Sequence, residues 1–290
     1  MKLLITGASS ILASKLVALL LENDRCSLRL LQHRAVVKFD SCETVIGDMS
    51  DPESLSRACK GIDAVLHLAA LTHSSDSAEY FKINRLGTQN LIDACKKNDV
   101  RRFVYISSAA ATSDSGAYGV SKLESEELVC QSGLEWTLLR PAEVYGSGMK
   151  EGIGTLIAWV QNLKIIPVIG DGSYCMSPVY IDDVVDAMAQ VVLQPGLINQ
   201  RLNLCGPEKI SFDAMIDRLS KYLRVRRQKI HLPIWIVRLG ISMASFLKLG
   251  SFTPDQIPRM LSEKDQDIHK TSALISYSPR KLEEGLREYL

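Results

Sequence analysis

Seven cysteines are scattered through this 290-residue chain without a C-x-x-C pair, which argues against a zinc site or a disulfide framework and fits reduced, mostly buried thiols. The five histidines show no metal-ligand spacing either. There is almost no charge surplus. A formal net charge of +1 gives no basic field for nucleic acid and no strongly acidic partner, although a few clustered basic residues suffice for a phosphate. Long charge-free apolar runs are missing too: the least polar late stretch, Ile230 to Phe252, is broken by His231, Pro233, Arg238 and Lys248. It is expected to form one or two helices of a substrate-binding lobe, with contact to a membrane surface or an amphiphilic substrate as the alternative, and without stable insertion in a bilayer. The chain passes from Met1-Lys2 straight into an apolar strand, with no leader pattern, so a cytoplasmic location is expected. No internal repeat or low-complexity linker interrupts it.

What is present is a 46% hydrophobic composition, enough for a sizeable core, arranged as alternating apolar strands and helices. Lys2 to Thr6 reads as a strand, Gly7-Ala8-Ser9-Ser10 as a tight turn, and Ile11 to Leu21 as a helix. Such a turn places free backbone N–H groups and a helix N-terminus together, which suits an anion. A second strand, Ser27 to Leu31, ends at Gln32-His33-Arg34. Further strands are read at Val45 onward, Ala64 to Leu68, Phe103 to Ile106 and Trp136 to Arg140, and Asp51-Pro52 carries the cap-and-proline signature of a helix start. Alternation of this kind predicts an α/β fold, a doubly wound parallel sheet of the Rossmann type with ligand at the carboxyl ends of its strands.

The most informative stretch is FVYISSAAATSDSGAYGVSK, from Phe103 to Lys122. A short strand delivers two hydroxyls, Ser107 and Ser108, and a loop leads into a helix carrying Tyr118 and Lys122. Residues four apart share a helix face, so phenol and ammonium look into one site. A phenol, with an ordinary pKa of about 10, becomes a useful proton carrier when a cation favours its phenolate.

These residues resemble the extended short-chain dehydrogenase/reductase family, of the NAD(P)-dependent epimerase/dehydratase, nucleotide-sugar kind. Its Y-x-x-x-K pattern is present as YGVSK, and the resemblance implies Ser108, Tyr118 and Lys122 as the catalytic set, with Ser108 preferred over Ser107. The family's T-G-x-x-G-x-x-G turn stands here as T-G-x-x-S-x-x-A: Gly7 is kept, and Ser10 and Ala13 replace the other two glycines. Ser10 implies an altered phosphate geometry.

By the same resemblance the cofactor shell comprises Gly7, Ser9, Ser10, Ile11, Arg34, Asp48, Met49, Leu68, Ala69, Ala70, Asn84, Tyr118, Lys122, Pro141 and Val144. Pro141 is placed against the nicotinamide, and Ser108, Tyr118 and Glu143 face the substrate. Arg34, with no acid nearby, leans the cofactor towards NADP over NAD. R-P-A-E-V-Y-G at Arg140 to Gly146 points to a nucleoside-diphosphate sugar as substrate. Residues 1–146 and 178–204 are expected to form the dinucleotide-binding domain, and 147–177 and 205–290 the smaller lobe. A homodimer paired through the helices of Asn84 and Tyr118 is implied.

The expected activity is reversible hydride transfer at a sugar hydroxyl or keto carbon, as a 4-epimerase or 4-keto reductase. A dehydratase is disfavoured because Ala109-Ala110 follow Ser108 where an Asp-Glu pair is expected. Two alternatives stand beside it: a reductase of a non-sugar alcohol or ketone, such as a sterol, and a non-catalytic dinucleotide-binding sensor or scaffold, for which Ser10 is the motive.

Overall fold

The computed structural model describes residues 1–22, 25–37, 39–149, 151–246 and 253–290, with the side chains of 242–246 left aside. The first half alternates as the sequence predicts: β1 (Lys2–Thr6), α1 (Ile11–Leu21), β2 (Ser27–Gln32), β3 (Glu43–Ile46), α2 (Pro52–Cys59) and β4 (Ala64–His67). A helix then runs through α3 (Ser77–Tyr80), a wide π-helical turn Phe81–Leu86 and α4 (Gly87–Lys97), followed by β5 (Arg102–Ile106), α5 (Gly116–Cys130), β6 (Glu135–Pro141) and β7 (Val144–Tyr145). The second half holds α6 (Ile153–Asn162), β8 (Ile165–Ile169), β9 (Cys175–Met176), β10 (Val179–Tyr180), α7 (Ile181–Leu193), β11 (Gln200–Leu204), β12 (Ile210–Ser211) and α8 (Phe212–Tyr222). Last come β13 (Gln228–Leu232), α9 (Ile234–Phe246), α10 (Gln256–Leu261), α11 (His269–Ile275) and α12 (Leu282–Tyr289).

Seven strands form one parallel sheet in the order β11-β6-β5-β4-β1-β2-β3. Central strands of such a sheet are covered on both faces, which is why Leu3, Leu4 and Ile5 run without polar alternation and are fully buried. Each contributes roughly 1.5–3 kcal/mol of apolar transfer. The doubly wound parallel sheet expected from the alternation is therefore present. The chain moves outward from β1 to β3 and then crosses back to β4, so β1 and β4 flank the topological switch point, where such folds bind ligand.

The registers Thr6↔His67, His67↔Tyr105 and Ile106↔Leu139 align the carboxyl ends of four strands along one edge of the sheet. The turns above them are set locally. Ser10 caps α1 by accepting the Ala13 amide at 3.2 Å, and Asp51 caps α2 by accepting the amides of Glu53 and Ser54.

The apolar stretch from Ile230 differs from expectation. Its first residues complete β13, which pairs in parallel with β8, and only from Ile234 does the chain become helical; residues 247–252, with Lys248 and Phe252, lie outside the described residues. Pro233 explains the break, since it cannot continue a strand ladder and starts a helix readily. In the basic run Arg224 to Lys229, Lys229 enters β13 and pairs with Asp213 at 2.5 Å and Asp217 at 2.9 Å.

Candidate active site

At the switch point Gly7 adopts φ +69°, and a Cβ there would stand 2.6 Å from the Ala69 backbone nitrogen. Only glycine lets the β1–α1 turn lie against the Leu68–Ala69 backbone. Ser9, Ser10 and Ile11 are exposed at the mouth of this turn, beside the first-turn amides of α1, which have no acceptor inside the helix. Ser10 has φ −74°, a conformation open to any residue, and its hydroxyl is folded back as the helix cap. The glycine expected there is therefore not required by the backbone.

Beneath the turn lies a polar network that sequence inspection passed over. Thr88 donates its hydroxyl to the Asn84 carbonyl at 2.5 Å, so its oxygen is left to accept the Nε2–H of His67 at 3.0 Å. The Thr6 hydroxyl then donates to His67 Nδ1 at 2.7 Å, while its oxygen accepts the Ala69 amide at 3.2 Å. Burial, aided by the Lys122 charge, pushes His67 down to about 3, so the ring is neutral and acts as a strut between β1, β4 and α4.

Asp48, beyond β3, is held below its usual range first by the Ser50 amide, and it also contacts His33 at 3.0 Å. Arg34 is exposed beyond β2, and Met49 is buried against Gly87. Asn84 sits in the π-helical turn. Its side chain is engaged by the chain itself, accepting the Leu71 amide at 2.7 Å and donating to the Leu71 carbonyl and to Ser121 Oγ. Ser121 in turn donates to the Tyr118 carbonyl at 2.7 Å, which ties the π-helical turn to the helix bearing the phenol.

On α5, Tyr118 and Lys122 are both buried. The Tyr118 ring meets Tyr80 edge-on at 6.0 Å. Lys122 Nζ donates to the Ile106 carbonyl at 2.8 Å and lies 4.2 Å from the Tyr105 ring centre. Burial pushes this lysine down to about 7; Glu126 opposes the shift and Arg259 adds to it. The two serines after β5 differ. Ser107 Oγ is buried without a partner among the described residues, whereas Ser108 is half-exposed and accepts the Ala110 amide at 3.1 Å.

Two further features hold this helix. Glu126, fully buried, receives both Nε and Nη2 of Arg140, at 2.8 and 2.6 Å, which clamps α5 to β6. From the far end of the chain, Asp255 accepts the amides of Ala117 and Tyr118, and the Arg259 guanidinium lies 4.0 Å over the Tyr118 ring. The same tail brings Lys264 to Glu143 at 2.6 Å, and Glu143 also accepts the Ser177 amide. Pro141 is buried at the end of β6, and Val144 is half-buried in β7.

Residues 3–205 match the NAD dependent epimerase/dehydratase family, well over half of the chain. The chain belongs to this family. Among its relatives is a UDP-glucose 4-epimerase of Vibrio cholerae, 27% identical over 314 residues, covering 99% of this chain and 93% of that protein. Another is a 3beta-hydroxysteroid-dehydrogenase/decarboxylase of Arabidopsis thaliana, 25% identical, covering 84% of this chain but only 50% of its own length. The fold is shared with a UDP-glucuronic acid 4-epimerase from Bacillus cereus solved with UDP-glucuronic acid and NAD, at TM-score 0.78 and 24% identity over 99% of this chain and 97% of that one. It is shared as well with a dTDP-glucose 4,6-dehydratase from Streptomyces venezuelae solved with NAD, at TM-score 0.79 and 20% identity over 99% and 94% of the two chains.

The chain carries Ser108 after β5 and Tyr118 and Lys122 on α5, two strands along the same sheet edge from the Gly7 turn that follows β1. It keeps Arg34 and Asp48 at the outer end of the same sheet edge. Asp255, Arg259 and Lys264 were missed because they lie far downstream of Tyr118, in a stretch with no motif of its own. Their only sequence signal is a run of charged residues after Pro254.

Proposed function

We propose that this chain is an NAD(P)-dependent 4-epimerase or 4-keto reductase of a nucleoside-diphosphate sugar. The observation that carries the reading is the burial of Tyr118 and Lys122 on one face of α5, beside the half-exposed Ser108 and the strand ends that bear the Gly7 turn. The residues present fit a dinucleotide. Gly7 allows the tight turn, α1 offers its amides to a diphosphate, and the Ser10 side chain is turned away into its cap.

When bound, the nicotinamide supplies the hydride acceptor and donor. Tyr118 Oη takes the hydroxyl proton as a carbinol carbon is oxidised and returns it on reduction. Ser108 Oγ would donate a hydrogen bond to the same substrate oxygen, and Lys122 Nζ would hold the ribose of the bound dinucleotide. Glu143, fixed by Lys264, faces the sugar. Arg34, exposed beyond β2, would be free to meet the 2′-phosphate of NADP, which supports NADP over NAD.

The α4/α5 surface, with exposed Leu86 beside the Arg85–Glu124 ion pair at 2.8 Å, is assigned to a homodimer contact.

A non-sugar alcohol, such as a sterol, is the second reading, favoured by the exposed apolar residues of α9 and by the steroid-dehydrogenase relatives.

Tyr118→Phe is expected to lower turnover by roughly 10²–10⁴-fold while keeping the thermal shift given by dinucleotide. Unchanged turnover in a folded Tyr118→Phe variant would remove the catalytic assignment. A thermal shift with UDP or dTDP alone supports the sugar reading, and a shift with sterol but with neither nucleotide overturns it.

A further inference from the structure

The sequence from residue 218 to 254 contains eight lysines and arginines and no aspartate or glutamate, in a chain whose overall charge is +1. Within it, Lys229 pairs with Asp213 and Asp217, His231 contacts Asp213, and Arg218 pairs with Glu208. Lys221, Arg224, Arg226 and Arg238 have no acidic partner among the described residues. A surplus of one sign is thus left on one part of the surface.

The same region is apolar where it faces outward. In α9, Trp235 is 66% exposed and Leu239 56%, with Ile234 and Ile236 also open. The β8–β13 pair continues this face. The register Gln228↔Ile165, Ile230↔Pro167 and Leu232↔Ile169 puts these residues on one side, where Ile165 and Ile230 are 46% and 47% exposed. Gly170, at the end of β8, lies against Ile234 and joins strand pair and helix. Exposed apolar residues on a helix and on the strand pair next to it, a tryptophan among them, with unpaired cations in the same stretch of chain, are unusual for a surface facing only water.

We propose that this face, α9 together with the outer side of β8 and β13, docks the enzyme on the anionic surface of a lipid bilayer. Apolar side chains of an interfacial helix enter the headgroup boundary, tryptophan favours that depth, and basic residues beside it meet anionic lipids. No helix among the described residues is long and apolar enough to cross a membrane, so the contact is peripheral. A second copy of the chain fits this face poorly. An isologous two-fold contact would bring the same unpaired cations against each other. Downstream of α9, Asp255 and Arg259 reach the helix of Tyr118. The proposal stands on this face alone and holds for either substrate reading.

The test is sedimentation of the full chain with vesicles of phosphatidylcholine, and with vesicles containing about a third phosphatidylglycerol. Binding is expected to the anionic vesicles only, and to fall as salt is raised. Arg224→Gln with Arg226→Gln should weaken it at least tenfold, at about fivefold per basic residue. Trp235→Glu and Leu239→Glu should each abolish it while melting temperature stays unchanged. Trp235→Phe should still bind but lose the blue shift of tryptophan emission. Absence of binding to anionic vesicles overturns the proposal, as does binding that survives both glutamate variants. Conversion of a wild-type dimer to a monomer by Trp235→Glu would assign the face to a second copy instead.

Discussion

Lys122 offers the sharpest test of how burial shapes this site. The folded chain holds its ammonium at about 7 against an ordinary 10.5, with burial as the main cause. Below pH 7 the lysine is protonated whether the chain is folded or not, and the full penalty of burying the charge is paid. Between about 7 and 10.5 the folded lysine is neutral while the unfolded one keeps its proton. The unfolded state then binds more protons, so stability rises with pH across this window. A depression from 10.5 to about 7 corresponds to a ceiling of roughly 5 kcal/mol, of which about 2 kcal/mol is recovered between pH 7 and 9. The measurement is isothermal denaturant unfolding of the wild type and of Lys122→Met at pH 7, 8 and 9. Methionine fills similar space without titrating, so subtraction removes the other ionising groups. The difference is expected to shift in favour of the wild type by about 2 kcal/mol over that range. Because Arg259 adds to the depression, Arg259→Gln should move the onset to higher pH. A difference that stays flat from pH 7 to 9 would refute the burial argument.

Gly7→Ala should cost more than about 2 kcal/mol and abolish the dinucleotide thermal shift, since its Cβ would stand 2.6 Å from the Ala69 nitrogen at φ +69°. Gly133→Ala, also at positive φ but with nothing within 4 Å, is the control and should cost only about 1 kcal/mol. Arg140→Met leaves the buried Glu126 with only the longer Arg201 contact at 3.9 Å, and should cost about 3–5 kcal/mol in denaturant unfolding. Adding Glu126→Leu to it should restore most of that loss, whereas no restoration would show that packing of the arginine, and not its charge, holds α5 to β6.

Local chemistry in the sequence was enough to determine the strand and helix alternation, the Gly7 turn, the Asp51-Pro52 helix start and the spacing that puts Tyr118 and Lys122 on one face. Each of these rests on contacts within a few residues, where backbone sterics, capping and helical period act directly. The tertiary structure alone decided the rest. It showed that Ser10 needs no glycine conformation, because its φ depends on how the turn is laid across β4. It put a π-helical turn at Asn84 and tied that residue to Leu71 and Ser121. It split the apolar stretch from Ile230 into the end of β13 and α9, and set its apolar face outward. It brought Asp255, Arg259 and Lys264 back over the site from the far end of the chain. Burial and charge pairing join residues distant in sequence, and they act only once the sheet has set which strand ends meet. For that reason the depressed Lys122, the neutral His67 and the Glu126–Arg140 clamp have no local signature, although every residue in them was visible from the start.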